Sequence, residues 1–298
     1  VHKSLAEMVH TLIAGTTGCH AKGELILMAD GTSKPVELIN GGDRVMGGDG
    51  TPRTVLTPRW GEDAMYELNI RNRGTLKVNG EHKLILFNPN WSGNHERVMT
   101  VNEYLKLQPY AQSRSRICLC TGIESFERTT EQINDPYLMG IFIGDGATKS
   151  GQGGCPNITT ADSEVVEAIY EYANKIGCTI RVDHKPGNAA SSYFFTYDKD
   201  NYAVCNRKII NNFAEQIRSI GLDKIGGGEK FVPDDYKYAD ISVRRELFAG
   251  LMDSDGYLNR NKMYDFVTKS KQLADDITFV GRSLGLQVHV PHCQKGIK

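Results

Sequence analysis

The sequence predicts two architectures in one chain, an all-β module followed by an α/β unit that contains two copies of one repeat. First, residues 19–92 contain short apolar runs separated by Asp-Gly and Gly-Gly pairs, which is typical of strands and tight turns. Second, longer helical periods alternate with short strands from residue 135 onward. Third, the stretches 137–146 and 247–256 resemble each other. A length of 298 residues suits two domains.

Composition limits the classes of protein to consider. Since 40% of the residues are hydrophobic and 24% are charged, the chain can bury a sizeable core. A net charge of −1 gives no bulk attraction to DNA or to an anionic membrane, so DNA binding depends on locally placed Lys and Arg. The seven cysteines lack the spacing of a disulfide framework, and the sequence shows neither a membrane span nor a signal peptide. We expect no membrane partner and a reducing, cytoplasmic location.

The strands of the β module are predicted from six apolar runs with turn residues between them. These runs are Leu25–Met28, Val36–Ile39, Arg44–Met46, Met65–Ile70, Thr75–Val78 and Lys83–Phe87. The pattern weakens from 92 to about 130, and we interpret that part as a connecting segment. The preceding residues 1–18 are typical of a helix, a strand and a turn.

The α/β region is predicted from its internal repeat. YLMGIFIGDG (137–146) returns as LFAGLMDSDG (247–256), and each copy is followed by a segment with Thr and Ser, a helix and a glycine. The interval from Asp145 to Gly177 matches the interval from Asp255 to Gly285 within two residues. Matched spacing predicts two copies of one unit, related by a pseudo-twofold axis.

Small residues recur four apart in each copy, at Gly140 and Gly144 and again at Gly250 and Ser254. On a helix they lie on one face, so two such helices can pack very closely. One copy alone is better explained by ordinary helix packing with a solvated cap, but two copies in a matched frame favour a functional site where the two helices end.

Each repeat helix is predicted to end in an Asp-Gly pair. We expect Gly146 and Gly256 to adopt left-handed caps. Close packing then brings Asp145 and Asp255 together at the helix ends, where their repulsion favours a bridging cation. Mg²⁺ prefers carboxylate and water oxygens, and it can activate water for phosphodiester hydrolysis.

These stretches resemble the two LAGLIDADG motifs of homing endonucleases, over residues 130–290. The resemblance implies that Asp145 and Asp255 bind the catalytic Mg²⁺ and that double-stranded DNA is the substrate. It also implies a lysine beside the metal within a K-x-[IV]-P motif, which EKFVP offers as Lys230, whereas Lys269 and Lys271 are weaker candidates.

Members of that family place a β-ribbon from each repeat in the DNA major groove, where base edges can be distinguished. Strand-like stretches at Tyr193–Tyr197 and Asp265–Thr268 are candidates for such contacts. The sequence does not say which bases they meet.

Residues 19–87 resemble the N-terminal splicing blocks of an intein, through CHAKGELILMADGTSKPVELINGGDRVMGGDG and TLKVNGEHKLIL. The resemblance implies that Cys19 attacks the carbonyl of Gly18 and that His82 protonates the departing nitrogen. Asn79 stands where the family usually has Thr, and its amide can still form a hydrogen bond. We interpret His20, His10 and His289 as structural or surface residues.

The stretch before Cys19, LAEMVHTLIAGTTG, resembles the strand and first half of the phosphate-binding loop of FtsK-type DNA translocases. This resemblance implies that residues 1–18 belong to a host ATPase whose loop the insert interrupts. Within the intein, we expect the N-terminal splicing domain and its connecting segment at 19–128, an embedded LAGLIDADG endonuclease at 129–290, and the start of a truncated C-terminal splicing part at 291–298. The terminal His-Asn of inteins is missing before Lys298, so we expect this sequence to be a fragment.

The expected function is therefore self-processing at Gly18–Cys19 with Mg²⁺-dependent cleavage of the intein-less host gene, by a monomer. Three alternatives remain. The first is an endonuclease whose splicing module is an inactive relic. The second is an ATP-driven translocase, which the missing Gly-Lys-Ser/Thr disfavours. The third is a signalling precursor with a self-cleaving β module, which the doubled motif disfavours.

Overall fold

The computed structural model describes residues 19–70, 74–117, 122–129, 133–148, 155–184, 186–197, 204–205, 208–209 and 211–291. The chain divides into two compact units. The described parts of Val1–Arg128 and Gly281–Lys298 form the first unit, and those of Thr129–Val280 form the second unit. In the residues described, no helix combines the length and apolar character needed to cross a membrane.

The first unit consists mainly of short antiparallel strands. Its strands are β1 Leu25–Leu27, β2 Ser33–Pro35, β3 Arg44–Met46, β4 Pro52–Thr54, β5 Met65–Ile70, β6 Gly74–Asn79, β7 Lys83–Phe87, β8 Glu96–Thr100 and β9 Arg116–Ile117. Its helices are α1 Val101–Leu105 and α2 Pro109–Arg114. β1 pairs with β2, β3 with β4 and β5 with β6, whereas β8, β7 and β9 form a three-stranded sheet in that order.

Alternation of apolar and polar residues explains these strands. In β7, Leu84 and Leu86 are buried while Ile85 and Phe87 are exposed, as expected because successive side chains point to opposite faces. The inward residues of β5, β6 and β7 form one core with Val101 and Tyr104 of α1.

The predicted strand at Val36–Ile39 does not form. Val36–Leu38 forms a 3₁₀ turn, closed by the Ile39 N–H that donates to the Val36 carbonyl oxygen at 3.2 Å. Pro35 precedes the turn with φ −54°. Ile39 is buried in a core that Val36 also contacts, whereas Leu38 is exposed, so the apolar contacts repeat every three residues and not every two as in a strand.

The interpretation of 92–130 as a connecting segment was wrong in its first half, because the chain there completes the core of the first unit. β8 pairs with β7 from Glu96 to Thr100. Thr100 then caps α1, since its hydroxyl accepts from the Glu103 N–H while the Glu103 carboxylate accepts from the Thr100 N–H. This Thr-x-x-Glu capping box was the overlooked signal.

The second unit alternates helices with strands. Its helices are α3 Pro136–Asp145, α4 Ser163–Lys175, α5 Asn212–Ser219, α6 Asp234–Lys237, α7 Ile241–Asp255 and α8 Lys271–Ser283, of which residues 271–280 belong to this unit. Its strands are β10 Gly146–Ala147, β11 Asn157–Thr160, β12 Cys178–His184, β13 Ser191–Tyr197, β14 Val204–Cys205, β15 Lys208–Ile209, β16 Gly256–Leu258 and β17 Tyr264–Phe266. The main sheet has the order β10-β11-β13-β12, and β14 with β15 and β16 with β17 form two-stranded ribbons.

The predicted repeat is confirmed in the order of elements. α3, β10, β11 and α4 in the first copy correspond to α7, β16, β17 and α8 in the second. α4 and α8 each have 13 residues. Each is followed by a glycine in the left-handed region, Gly177 with φ 68° and Gly285 with φ 82°.

The helix α3 lies in the centre of the second unit. All residues from Leu138 to Gly144 are buried, so the helix is covered on every side. Its N-terminus is fixed by the Asp135 side chain, which accepts from the Leu138 N–H, and by Pro136 in the first turn.

Two candidate functional sites

The first candidate site depends on how closely α3 and α7 approach each other. A Cβ atom added to Gly140 would lie 2.8 Å from the Leu251 nitrogen and nearer still to the Leu247 carbonyl oxygen. A Cβ atom added to Gly250 would lie 3.0 Å from the Ile141 nitrogen. Only glycine permits this backbone-to-backbone packing, which confirms the prediction made from the small-residue spacing.

The glycines after the two motif aspartates differ from the prediction. Gly146 (φ −78°, ψ 150°) and Gly256 (φ −83°, ψ 154°) are extended rather than left-handed. Each N–H donates to the carbonyl four residues earlier, of Phe142 or Met252, and the chain continues directly into a strand. A Cβ atom at Gly146 would lie 2.7 Å from Cγ of Phe142 and nearer still to another ring carbon and to the carbonyl oxygen of the same residue, so glycine is required here by sterics and not by a positive φ.

The structure brings the two motif aspartates and the predicted lysine together. The Lys230 ammonium donates to the Gly144 carbonyl oxygen at the end of α3. Burial raises the pKa of the Asp145 carboxyl to about 6; the charge of Asp255 contributes to that rise and Lys230 opposes it. Burial also raises the pKa of Asp255, which Lys230 opposes. The pKa of Lys230 is lowered by burial, although both carboxylates raise it.

Lys230 is held in place by the start of α8. The Ser270 hydroxyl donates to the Lys230 carbonyl oxygen at 2.5 Å. Two residues on, the Val232 N–H donates to the buried Asp276 carboxylate at 3.0 Å. Of the weaker candidates, Lys269 is exposed and Lys271 pairs with Asp275 at 2.6 Å.

The donor chemistry of this site fits a hard divalent cation, because carboxylate and carbonyl oxygens converge and Mg²⁺ prefers oxygen. In the described ranges, no group of three or more His, Cys, Asp and Glu side chains is arranged to hold a metal. A cation at Asp145 and Asp255 would therefore complete its coordination with backbone, water or substrate oxygens.

The two stretches suggested for DNA contact differ in exposure. Tyr193–Tyr197 lies in β13, an interior strand of the main sheet, and its Phe194 and Phe195 are buried. The ribbon of β16 and β17 is open to solvent, with Tyr257 and Tyr264 both exposed. The predicted stretch Asp265–Thr268 begins within β17.

The second candidate site surrounds Cys19 in the first unit. Residues 19–21 run antiparallel to β6, since the Ala21 N–H donates to the Lys77 carbonyl at 2.8 Å. Asn79 holds Cys19 on both sides: its N–H donates to the Cys19 carbonyl at 3.0 Å, and its Oδ1 accepts from the Cys19 N–H at 2.9 Å. Asn79 thus contacts the nitrogen of the predicted scissile bond, whose other residue, Gly18, lies outside the described residues.

The Asn79 amide also reaches a residue that the sequence did not indicate. Its Nδ2 donates to the Asp63 carboxylate at 2.9 Å, and Asn79 itself is only 2% exposed. Asp63 precedes β5, whose Met65 pairs with Asn79. Because this contact depends on strand register, no local spacing could have revealed it.

His82 follows Asn79 in the turn between β6 and β7. Its N–H donates to the Asn79 carbonyl at 3.2 Å. Burial lowers the pKa of His82 to about 4, so the imidazole is neutral at pH 7. Its Nδ1 is buried and has no hydrogen-bond partner within the described part of the chain. The ring of His20, for which the sequence predicts a structural or surface role, lies edge-on at 4.6 Å from the His82 ring.

The predictions for the chain termini are not described by the structure. The host-like residues 1–18 and residues 292–298 of the expected C-terminal splicing part lie outside the described residues.

Comparison with protein families gives three matches in succession. The family described as Hom_end-associated Hint matches residues 19–133, a LAGLIDADG-like domain matches 135–218, and a homing endonuclease family matches 232–297. The first match covers the Cys19 site, and the other two cover the two repeats.

Several curated proteins are similar to parts of this chain. The catalytic subunit of the V-type proton ATPase of Candida tropicalis is 31% identical over 44% of this chain and 13% of that protein. The homothallic switching endonuclease of Saccharomyces cerevisiae is 26% identical over 52% of this chain and 28% of that protein. A DNA polymerase of Methanocaldococcus jannaschii is 22% identical over 93% of this chain and 17% of that protein. The chain thus spans less than a third of each of these relatives.

Proposed function

We propose that this chain, which is an intein with an embedded LAGLIDADG homing endonuclease, performs two reactions, one in each unit. The second unit cleaves double-stranded DNA. The first unit converts the Gly18–Cys19 peptide bond into a thioester. The convergence of Asp145, Asp255 and Lys230 at the ends of two close-packed helices carries the first proposal.

For DNA cleavage, the carboxylates of Asp145 and Asp255 are the groups that would hold Mg²⁺, and the ion would supply a more acidic water and charge stabilisation for the leaving oxygen. Burial, with a further contribution from the charge of Asp255, raises the pKa of Asp145, and a cation bound beside both carboxylates would oppose that rise. Lys230 adds positive charge where a scissile phosphate would approach. Because its pKa is lowered, Lys230 can also exchange a proton more readily than an exposed lysine.

The test of DNA cleavage uses plasmids whose insert encodes residues 5–18 joined to randomised downstream codons, with 5 mM Mg²⁺. We expect site-specific linearisation by the natural chain and at least about a 100-fold loss with Asp145→Asn or Asp255→Asn. Asp275→Asn is the matched control, because Asp275 is an exposed carboxylate on α8. Linearisation by Asp145→Asn at the natural rate would overturn the proposal.

In the thioester step, the Cys19 sulfur adds to the Gly18 carbonyl carbon and the C–N bond breaks. The thiol proton ends on the released Cys19 nitrogen, so the step is an isomerisation that needs no added reagent. A neutral His82 can accept that proton and return it to the nitrogen, whose position Asn79 fixes.

The test of this step is thiol-induced cleavage. We expect dithiothreitol to release a peptide of residues 1–18, identified by mass. Cys19→Ala should abolish the release, whereas Cys155→Ala, which alters a cysteine of the second unit, should leave it unchanged. If the natural chain releases no peptide, the first unit is an inactive relic and only the endonuclease proposal remains.

The partners follow from the same proposal. Residues 1–18 are the end of a host ATPase segment joined in cis, and the DNA target is the uninterrupted host gene. The chain acts as a monomer, since both repeats of the paired-carboxylate site lie in one chain. Light scattering should give a mass near 33.1 kDa, and a dimeric mass would refute this part.

A further inference from the structure

We propose that Asp63 is a positioning residue for the thioester step, because it sets the orientation of the Asn79 amide that contacts the scissile nitrogen. This inference rests on the proposed reaction at Gly18–Cys19. The three groups form a chain of hydrogen bonds from the Asp63 carboxylate through the Asn79 side chain to the Cys19 N–H.

The orientation of a buried asparagine amide needs a cause, because its two ends have similar shapes and opposite hydrogen-bonding character. With Oδ1 toward Cys19, the amide accepts from the Cys19 N–H at 2.9 Å. With the amide reversed, two N–H donors would face each other. A carboxylate only accepts, so Asp63 binds the NH₂ end and leaves Oδ1 for Cys19.

Asp63 is itself held by its neighbours in the chain. One of its carboxylate oxygens accepts from the Ala64 N–H at 2.7 Å, and the other accepts from Asn79 at 2.9 Å. The pairing of Met65 with Asn79 places this segment beside the end of β6. The hydrogen bond from the Ala64 N–H and the strand pairing therefore orient the Asp63 carboxylate toward Asn79.

The orientation matters because the Cys19 nitrogen becomes more positive as the C–N bond breaks and a proton arrives. A hydrogen bond from that nitrogen to Oδ1 strengthens during the reaction and so stabilises the transition state more than the starting peptide. An NH₂ group in the same place would oppose the developing charge. Loss of Asp63 thus slows the step without removing the nucleophile Cys19 or the proton carrier His82.

The experiment measures the initial rate of peptide release by dithiothreitol in the full chain. Asp63→Ala should lower the rate about 10-fold, which corresponds to about 1.4 kcal/mol. Asp63→Asn should restore it to within about threefold, because its carbonyl oxygen can still accept from Asn79. Asp30→Ala is the matched control, since Asp30 is a turn aspartate of the same unit that accepts from its own turn at Thr32.

A second background separates positioning from a general loss of structure. In Asn79→Thr, a hydroxyl that rotates freely replaces the amide, so it needs no partner to orient it. Adding Asp63→Ala to Asn79→Thr should therefore leave the rate of that variant unchanged. An equal 10-fold loss in both backgrounds would assign Asp63 a merely structural role and overturn the inference.

Nuclear magnetic resonance gives a readout that does not require cleavage. In Cys19→Ala chains, Asp63→Ala should shift the Asn79 side-chain NH₂ resonances and the backbone N–H of residue 19, and Asp63→Asn should largely reverse the shifts. If the natural chain releases no peptide but these shifts occur, the proposed reaction fails while the positioning contact stands. Unchanged resonances would overturn the inference.

Discussion

The close approach of α3 and α7 predicts a large effect of one added methyl group, in Gly140→Ala. The new Cβ atom would lie 2.8 Å from the Leu251 nitrogen and closer to the Leu247 carbonyl oxygen. Carbon contacts are favourable near about 3.5–4.0 Å, so the helices must separate by about 1 Å. Both obstructing atoms belong to the backbone and cannot rotate away.

The magnitude follows from two opposing effects. Overpacking costs about 3 kcal/mol at the upper end of its usual range. The higher helix propensity of alanine stabilises the helix by about 1 kcal/mol relative to glycine. The net loss of about 2 kcal/mol lowers the melting temperature of the second unit by about 6 °C. DNA cleavage should fall as well, because the separation moves Asp145 away from Asp255.

The assay is thermal unfolding of the full chain with Gly228→Ala as the matched control. A Cβ atom at Gly228 meets nothing within 4 Å, and its φ lies outside the left-handed region. We expect the control to melt like the natural chain. If Gly140→Ala also melts within 1 °C of the control, a difference worth less than about 0.5 kcal/mol, the packing argument is refuted.

Three further predictions concern other buried contacts. Burial lowers the pKa of His82 to about 4 in the folded chain, against about 6.5 in the unfolded chain. The free energy of unfolding should therefore fall by up to about 3 kcal/mol as the pH drops from 6.5 to 4. Urea unfolding of the natural chain and His82→Gln at pH 7 and 4.5 measures this, and equal pH dependence would contradict it. Ser270→Ala removes the hydrogen bond to the Lys230 carbonyl oxygen, so it should lower the free energy of unfolding by about 1 kcal/mol. It should also lower the rate of DNA cleavage while the affinity for DNA stays the same. An unchanged cleavage rate would contradict the anchoring of Lys230 by Ser270. Asp276→Ala leaves the Lys237 ammonium without the carboxylate that it pairs with at 2.7 Å. The free energy of unfolding in urea should therefore fall by about 3–4 kcal/mol. A fall of less than about 1 kcal/mol would show that the pair contributes little.

The sequence was most informative where the structure depends on local spacing. Gly140 and Gly250 predicted close helix packing because residues four apart share a helix face. From that packing, the meeting of Asp145 and Asp255 followed directly. The K-x-[IV]-P resemblance also placed Lys230 at this site.

Features that depend on strand register were not predictable in the same way. Asp63 and Asn79 meet only because β5 and β6 pair in one particular register. Gly146 differs from its predicted left-handed cap for a different reason: Asp-Gly at a helix end suits both a cap and a direct turn into a strand.

The contact between α3 and α7 is reciprocal, because each helix gives the other the same kind of contact that it receives. Gly140 faces the Leu247 carbonyl, while Gly250 faces the carbonyl of Tyr137, the residue that corresponds to Leu247 in the other repeat. Each half therefore offers the same groove and the same ridge, which is the geometry of an isologous dimer. One half made as a separate chain would therefore present to a second copy of itself both the glycine and the carbonyl that the contact needs. The likeness does not extend to the sheets, since in the described residues one half has a four-stranded sheet and the other a two-stranded ribbon.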